Sequence, residues 1–254
     1  MNSARRAGAF VAALSEAAVE RCEPFGGGVA LFTPSLPQVW DLNFLRLERT
    51  GGSPAAALAE TADRLQGGAG LRHRRVVVLD EREGERLVPG FRGLGWKAER
   101  SLTMVAGLEA VRPPAATVEE VALERLHYLR AELAREAPGG RTPAVVEQLL
   151  GAAARHARAG NARHFAVVSG GRPVAAADLY SDGRTAQIED VASLEEFRGR
   201  GYASAIVGRA VAAARETGHD LVFLLADADD WPHELYARLG FAAIGVTHTF
   251  TRSG

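Results

Sequence analysis

The segment 198–203 combines arginines with glycines and reads Arg-Gly-Arg-Gly-Tyr-Ala. Gly199 and Gly201 let the backbone turn sharply and leave no Cβ in the way of a ligand. The segment precedes a predicted helix, and N–H groups at a helix N-terminus attract phosphate, as do arginine side chains. We therefore predict a phosphate or pyrophosphate site, although a simple strand-to-helix turn with solvated arginines fits the same pattern.

Other patterns that carry chemistry are incomplete in this sequence. The glycine segment lacks the Gly-Lys-Ser/Thr ending of a P-loop and the third glycine of a dinucleotide fingerprint. His233 and Glu234 begin a zinc-protease pattern, but Ala237 stands where the second histidine is needed. The single cysteine, Cys22, excludes an internal disulfide and a cysteine-based zinc site. We therefore predict no metal centre.

Hydrophobic periodicity and turn residues predict the elements that position this segment. Predicted helices cover 123–135, 143–159, 201–217 and 232–239, and predicted strands cover 165–169, 173–180, 185–193, 221–226 and 241–250. Thr142 is a predicted helix N-cap with Pro143 in the first turn. Gly240 is a predicted left-handed C-cap. This succession predicts a mixed α/β layer fold.

Composition indicates a soluble globular protein with few kinds of partner. The formal charge of −1 argues against nucleic acid or an acidic membrane surface. The apolar run 7–14 is followed closely by Glu16 and Glu20, and its helical spacing predicts an amphipathic helix rather than a signal peptide. No run is long enough to span a bilayer. With one cysteine, we expect a cytoplasmic protein, and the sequence indicates no oligomeric state.

Two landmarks in the second half resemble the GCN5-related N-acetyltransferase (GNAT) family. The family's pyrophosphate signature, Arg/Gln-x-x-Gly-x-Gly/Ala, is satisfied by Arg198, Gly201 and Ala203. A second landmark, a tyrosine followed after three residues by Gly-Phe, is matched by Tyr236 and 240–241. The resemblance covers roughly residues 115–252 and implies the family's mixed α/β acyl-CoA N-acyltransferase fold. It also implies an acetyl-CoA-dependent N-acetyltransferase whose acceptor is a primary amine, on a small molecule or at a peptide N-terminus.

The resemblance implies a cofactor site around the glycine segment. The residues implied to hold the pantetheine arm are Val191, Ala192, Ser193 and Leu194, and those implied to hold the pyrophosphate are Arg198, Gly199, Arg200, Gly201, Tyr202, Ala203 and Ser204. The strand before the segment would splay from its neighbour, and an N–H near Ser193 would polarise the thioester carbonyl. Asp229 stands where many relatives carry an asparagine that contacts CoA, and a role as helix cap fits it equally well.

Tyr236 and Glu189 are the residues implied to move protons during direct attack of the amine on the thioester. A phenol with a pKa of about 10 can donate a proton to the leaving thiolate. Side chains alternate along a strand, so we expect only one of Glu189 and Asp190 to face the cleft, and we favour Glu189 as the base. The alternatives are a core tyrosine and a solvated surface carboxylate.

The first half of the chain repeats the end of the second half in weaker form. Residues 91–96 align with 236–241, and strand-like stretches flank both segments, which indicates an internal duplication. Phe91 replaces the tyrosine in this copy, and the segment 50–54, Thr-Gly-Gly-Ser-Pro, lacks the arginine of the pyrophosphate signature. We therefore predict a truncated, degenerate copy of the GNAT-like domain.

The pair Pro113-Pro114 disfavours continuous regular structure and predicts a boundary between a degenerate domain, 1–112, and a catalytic domain, 115–254. We expect the first domain to help wall the substrate cleft, with Trp40, Asp41 and Asn43 on the nearest strand. Two other interpretations stay open. One is a non-catalytic acyl-CoA-binding module that senses or regulates, and the other is an α/β scaffold without a cofactor.

Overall fold

The computed structural model describes residues 2–107, 116–137 and 139–254. Its helices are α1 (Ser3–Ala18), α2 (Ala55–Gly68), α3 (Glu81–Gly93), α4 (His127–Glu136), α5 (Pro143–Ala159), α6 (Tyr202–Glu216) and α7 (Pro232–Arg238). Its strands are β1 (Arg21–Phe25), β2 (Gly28–Phe32), β3 (Phe44–Leu47), β4 (Arg74–Val78), β5 (Lys97–Ala106), β6 (Glu119–Val121), β7 (Arg163–Ser169), β8 (Arg172–Ser181), β9 (Thr185–Ser193), β10 (Leu221–Asp227) and β11 (Phe241–Arg252). Short 3-10 turns cover Trp40–Leu42, Leu123–Leu126 and Glu195–Phe197. The predicted boundary at Pro113-Pro114 lies outside the described residues.

The strands of the described residues join one mixed sheet in the order β1-β2-β3-β4-β11-β5-β10-β9-β8-β7-β6. Two neighbouring pairs, β3 with β4 and β9 with β10, are parallel, and the others are antiparallel. Each parallel pair is connected through one helix, α2 or α6, and each is followed by a further helix and a strand. The predicted mixed α/β fold is confirmed, and the same succession of elements occurs twice.

The two copies exchange their last strands. β11 of the second copy pairs with β4 of the first copy, and β5 of the first copy pairs with β10 of the second. β5 and β11 also pair with each other, from Phe241 opposite Ala106 to Thr251 opposite Lys97. The hydrogen-bonded sheet of each copy is therefore completed by a strand from the other, which fixes the first copy beside the second copy's parallel strands.

Helices α6 and α7 cover one face of the second copy. The apolar face of α6 packs on the sheet, because Ile206, Val207, Ala210, Val211 and Ala214 are all buried in one cluster with strand residues of β7 to β10. The predicted caps are confirmed too. The Thr142 hydroxyl accepts the Val145 N–H at 3.4 Å, and Gly240 has a left-handed φ of 89°.

The predicted amphipathic helix near the N-terminus is confirmed as α1. It packs on the sheet through Phe10, whose ring meets Phe223 of β10 edge to face at 5.7 Å. In the first copy, Phe91 of α3 stacks on Phe250 of β11 with ring centroids 4.2 Å apart, so this core also joins the two copies. No helix of the described residues is long and apolar enough to cross a membrane.

The prediction that Trp40, Asp41 and Asn43 lie on a strand was wrong. Trp40–Leu42 is a 3-10 turn, and Asn43 follows it before β3 begins. The buried Asn43 amide accepts the Thr33 N–H at 2.8 Å and donates to the Val39 carbonyl at 2.9 Å. A side chain that bonds to nearby backbone in this way favours a turn over a sheet ladder.

Candidate active site

The strands β9 and β10 separate in the middle of the second copy. Their parallel pairing ends with Ile188 opposite Leu224. Beyond that point β9 continues against β8 alone, and β10 continues against β5 alone. The backbone of residues 189–193 therefore has no strand partner on its β10 side. This is the splayed strand that the resemblance implies.

The predicted pantetheine residues occupy the separated end of β9. Val191, Ala192 and Ser193 are half-buried and form the last residues of the strand. Leu194 follows the strand, its N–H donates to the Val174 carbonyl at 3.0 Å, and its side chain is buried beside α4. This end of the strand has no partner on its β10 side, whereas the N–H of Leu194 is already used.

The glycine segment forms an open turn at the start of α6. Gly199 and Gly201 have left-handed φ values of 72° and 76°, and Gly201 is the N-cap residue without a side-chain capping bond. Such φ values favour glycine, which explains the residue type at both positions. The Arg198 and Arg200 side chains are exposed, with Arg200 bonded to the Glu196 carbonyl at 3.0 Å. The first turn of α6, with Tyr202, Ala203 and Ser204, thus follows two exposed cations.

A β-bulge at Asp190 changes the orientation predicted for the two carboxylates. Glu189 lies opposite Asp178 and Ala192 lies opposite Ala176, so two residues of β9 oppose the single Ala177 of β8. Asp190 takes the extra position with a φ of 54°. Such bulges break the alternation of side chains along a strand.

The prediction that only one of the two carboxylates faces the cleft was therefore wrong. Ile188 and Val191 both pack into the α6 cluster, so the two residues between them turn away from it. Asp190 reaches to 3.8 Å from the Arg130 guanidinium of α4. Glu189 and Asp190 thus share the face of the sheet that α4 and α5 cover.

The Glu189 carboxyl is held in a form that can exchange a proton near neutral pH. Burial and the neighbouring charge of Asp190 raise the pKa of Glu189 to about 8. A hydrogen bond from the Gln187 amide at 2.7 Å acts in the opposite direction but is the weaker effect. Burial and the charge of Asp178 raise the pKa of Asp190 to about 6, but its side chain is 61% exposed and solvent screens that effect. Glu189 is therefore the carboxyl with the stronger basicity.

A buried polar cluster that the sequence analysis missed lies behind these carboxylates. Asp178 is fully buried and lies 2.7 Å from His164 Nδ1 and 2.6 Å from the Arg130 guanidinium. The Tyr180 hydroxyl donates to the same carboxylate at 3.2 Å. Burial alone would raise the pKa of Asp178, but the His164 hydrogen bond and the Arg130 charge outweigh it and hold the pKa below its usual range. One signal was available: Asp178 is a single carboxylate within the apolar strand 173–180.

Tyr236 is buried on α7, where its ring packs 6.2 Å from that of Phe241. Burial and the charge of Glu189 raise the pKa of Tyr236 to about 12. The phenol therefore stays protonated at physiological pH.

The side chain of Asp229, another predicted site residue, is engaged on the side of α3. Its carboxylate forms an ion pair with Arg100 of β5, which lowers its pKa. It lines a small cavity with Glu85 and the buried His248 on the side of α3. A contact between Asp229 and a cofactor would require this ion pair to open.

The corresponding loop of the first copy is filled by its own side chains. The Thr50 hydroxyl donates to the Glu83 carboxylate of α3, and the Arg86 guanidinium donates to the Ser53 carbonyl at 3.0 Å. Phe91, the counterpart of Tyr236, is fully buried. These contacts occupy the loop and leave no hydroxyl at the Tyr236 position.

Trp40 and Asp41 line a cavity of about 730 Å³ between the first copy and α5. The Trp40 ring stacks on His73 with centroids 4.9 Å apart, and Asp41 pairs with Arg75 at 2.7 Å. The charge of Asp41 contributes to the raised pKa values of Glu189 and Asp190. The described residues contain no group of three or more His, Cys, Asp or Glu side chains that fits a metal ion.

Comparisons with known proteins agree with these features. The family model "Acetyltransferase (GNAT) family" matches residues 126–241. The chain is 32% identical over 79 residues to "Uncharacterized N-acetyltransferase CgeE" of Bacillus subtilis (strain 168), and this match spans 30% of the chain and 30% of that relative.

Two solved structures share the fold over nearly the whole chain. A functionally unknown conserved protein from Staphylococcus epidermidis ATCC 12228 superposes with a TM-score of 0.71, at 18% identity over 92% of this chain and 94% of that one. A GCN5-related N-acetyltransferase from Kribbella flavida superposes with a TM-score of 0.64, at 20% identity over 99% of this chain and 96% of that one. At these identities the likeness concerns the fold, and it includes both copies.

Proposed function

We propose that this chain, whose residues 126–241 belong to the acetyltransferase (GNAT) family, transfers an acetyl group from acetyl-CoA to a primary amine by direct attack. The observation that carries the proposal is the opening between β9 and β10. Glu189 lies where the strands separate, and the glycine segment lies beyond the end of β9. Glu189 and the glycine segment thus lie at the two ends of the part of β9 that has no partner on its β10 side.

The residues around the opening fit acetyl-CoA. The backbone of 191–193 lacks a strand partner on one side and can hydrogen-bond an extended chain laid along it, as an added strand does. Open space surrounds the position that a Cβ of Gly199 would take, and Arg198 and Arg200 are exposed beside it. When bound, acetyl-CoA supplies the thioester carbon that forms the new C–N bond as its C–S bond breaks.

The chain's own residues handle the protons of this exchange. The amine must lose a proton as it becomes an amide, and Glu189 is the base that accepts it. The sulfur must gain a proton as the free thiol leaves, and the Tyr236 hydroxyl is the acid that donates it. The high pKa of Tyr236 keeps that proton in place until the sulfur becomes basic. Solvent then returns a proton to Tyr236 and removes one from Glu189.

Calorimetric titration of acetyl-CoA tests the binding half of the proposal. We expect wild type to bind and Arg198→Ala/Arg200→Ala to bind at least about tenfold more weakly, because charge-assisted bonds contribute about 1.5–3 kcal/mol each. Arg184→Ala is the matched control, since Arg184 is a highly exposed arginine on the turn after β8. If correctly folded wild type does not bind acetyl-CoA, the proposal is wrong.

Thiol release in the presence of a panel of amines tests the catalytic half. We expect turnover by wild type and a loss of turnover, with intact acetyl-CoA binding, in Tyr236→Phe. If the protein binds acetyl-CoA but acetylates no amine, and Tyr236→Phe behaves as wild type throughout, the chain is a binding module and the catalytic proposal fails.

A further inference from the structure

Gln187 of β9 is buried directly beside the point where β9 and β10 separate. It lies opposite Phe223 of β10, and the parallel pairing of the two strands ends one residue later, at Ile188. On its other side Gln187 lies opposite Tyr180 of β8. The residue is only 4% exposed. Gln187 therefore borders the opening from inside the sheet.

The surroundings of Gln187 are largely apolar. The residues before and after it along β9 are buried in the α6 cluster, so Gln187 faces the opposite side of the sheet. Its two cross-strand neighbours, Tyr180 and Phe223, are buried in one cluster with Phe10 of α1. A polar side chain in such a place needs hydrogen-bond partners from the protein, because burial removes those that water would supply.

The Gln187 amide has a partner at one of its two polar atoms. Its Nε2 donates to the Glu189 carboxylate at 2.7 Å. Its Oε1 is buried and has no hydrogen-bond partner among the described residues. A buried acceptor without a donor destabilises a fold. The amide is therefore bonded to Glu189 while its own carbonyl stays unsatisfied, which packing of the apolar cluster does not explain.

This hydrogen bond reaches Glu189 where the carboxylate is needed. Gln187 and Glu189 are two residues apart on one face of β9, and Glu189 is the first residue beyond the β10 pairing. The cross-strand neighbour of Glu189 is Asp178, whose own carboxylate is engaged by Arg130 and His164. Within the described part of the chain, the Gln187 amide is the hydrogen-bond donor to the Glu189 side chain.

We propose that Gln187 is the positioning residue of the base: its amide N–H holds the Glu189 carboxylate at the opening between β9 and β10 and favours the ionised form. The proposal rests on the acetyltransferase function proposed above. Only the ionised carboxylate can accept the proton of the amine, and a donor bonded to that form stabilises it. Gln187 itself touches neither substrate and exchanges no proton.

Other groups act on Glu189 too, and a change at Gln187 leaves all of them in place. The titratable and charged groups around Glu189 are Asp190 of β9, Asp178 and Tyr180 of β8, Asp41 of the 3-10 turn, Arg130 of α4, His156 of α5 and Tyr236 of α7. Burial, and after it the charge of Asp190, raise the pKa of Glu189, whereas the Gln187 hydrogen bond lowers it. Loss of this hydrogen bond alone should therefore raise the pKa of Glu189 further.

Gln187→Met tests the assignment, because methionine is also unbranched and fits an apolar cluster. Thr185→Val is the matched control, since Thr185 is also buried on β9, two residues earlier on the same face. Turnover of acetyl-CoA with an amine that wild type acetylates is followed from about pH 6 to 9.5. In Gln187→Met we expect the acidic limb of kcat/KM to move upward by about one pH unit and turnover at pH 7 to fall about tenfold. The Kd for acetyl-CoA should stay unchanged.

Urea unfolding gives a readout that needs no substrate. Gln187→Met removes an unsatisfied buried carbonyl, so we expect its free energy of unfolding at about pH 6 to equal or exceed that of wild type. The folded pKa of Glu189 is the raised one, so the stabilisation from its bound proton is lost as the pH rises through that value. In Gln187→Met this loss should be complete about one pH unit higher than in wild type.

The possible outcomes separate this proposal from the acetyltransferase function. An unchanged pH profile in Gln187→Met overturns the role of Gln187, as does a shift that Thr185→Val reproduces. A fall in turnover by one constant factor at every pH overturns it too, because a packing defect alone would act in that way. If wild type acetylates no amine, the acetyltransferase function fails, and the urea profiles still decide whether Gln187 holds the Glu189 carboxylate.

Discussion

Replacement of Glu189 by glutamine is expected to remove a large part of the pH dependence of stability. An ordinary glutamate has a pKa of 4.5, whereas burial first, and then the charge of Asp190, raise the pKa of Glu189 to about 8. Between these two values the folded chain keeps a proton that the unfolded chain has released. Folding is therefore linked to proton uptake at this residue.

The direction and size of the effect follow from the two pKa values. Because the folded pKa is the higher one, the stabilisation is complete below pH 4.5 and is lost as pH rises through about 8. The slope in this window is about 1.4 kcal/mol per pH unit, which gives about 5 kcal/mol over the full window and about 3 kcal/mol between pH 5.5 and 8.5. Glutamine does not ionise, so the free energy of unfolding of Glu189→Gln should not decrease in this way as the pH rises.

Urea unfolding at pH 5.5, 7.0 and 8.5 measures the difference. We expect the free energy of unfolding of Glu189→Gln, relative to wild type, to increase by about 3 kcal/mol across this range. Glu60→Gln is the matched control, because Glu60 is exposed on α2, and its profile should follow wild type. Asp190→Asn should move the upper end of the window below pH 8, since the charge of Asp190 supports the raised pKa.

One result would refute the reasoning. If Glu189→Gln and wild type lose stability in parallel from pH 5.5 to 8.5, the carboxyl ionises at an ordinary pKa in the folded chain. Glu189 would then be solvated, and its assignment as a base poised near pH 8 would lose its physical support.

Three further substitutions have expected outcomes. Tyr236→Phe should lower kcat by about 10²-fold or more and leave the Kd for acetyl-CoA unchanged, as measured by thiol release and calorimetry; an unchanged kcat contradicts the acid role. Asp178→Asn should lower the free energy of unfolding, measured in urea, by about 3–5 kcal/mol, because it leaves the buried Arg130 guanidinium without the Asp178 carboxylate. A decrease below about 1 kcal/mol would show that the cluster is solvated. Gly201→Ala should lower the free energy of unfolding by about 1 kcal/mol or more, because the φ of Gly201 is 76°. Gly8→Ala on the exposed face of α1 should raise the free energy of unfolding, and equal effects of the two substitutions would contradict the argument from backbone strain.

Much of the fold was predictable from local sequence. The helix 143–159 and the strand 185–193 have the observed bounds of α5 and β9, because periodicity and capping residues act within a few positions of the chain. The glycine segment was predictable for the same reason, since Gly199 and Gly201 occupy left-handed positions that few other residues adopt. The duplication was visible because both copies repeat the order strand, helix, Gly, aromatic and strand.

The tertiary structure decided how these pieces meet. The exchange of β5 and β11 joins segments more than a hundred residues apart, and no local pattern encodes which sheet edge a strand joins. The bulge at Asp190 depends on how β9 aligns with β8, and so alternation along one strand predicted the wrong orientation. The contacts of Asp178 with Arg130 and His164 require α4, β7 and β8 to pack together. Residue types and spacing therefore determined which groups are available for chemistry, whereas long-range pairing and burial determined which of them share a cleft and at what pKa.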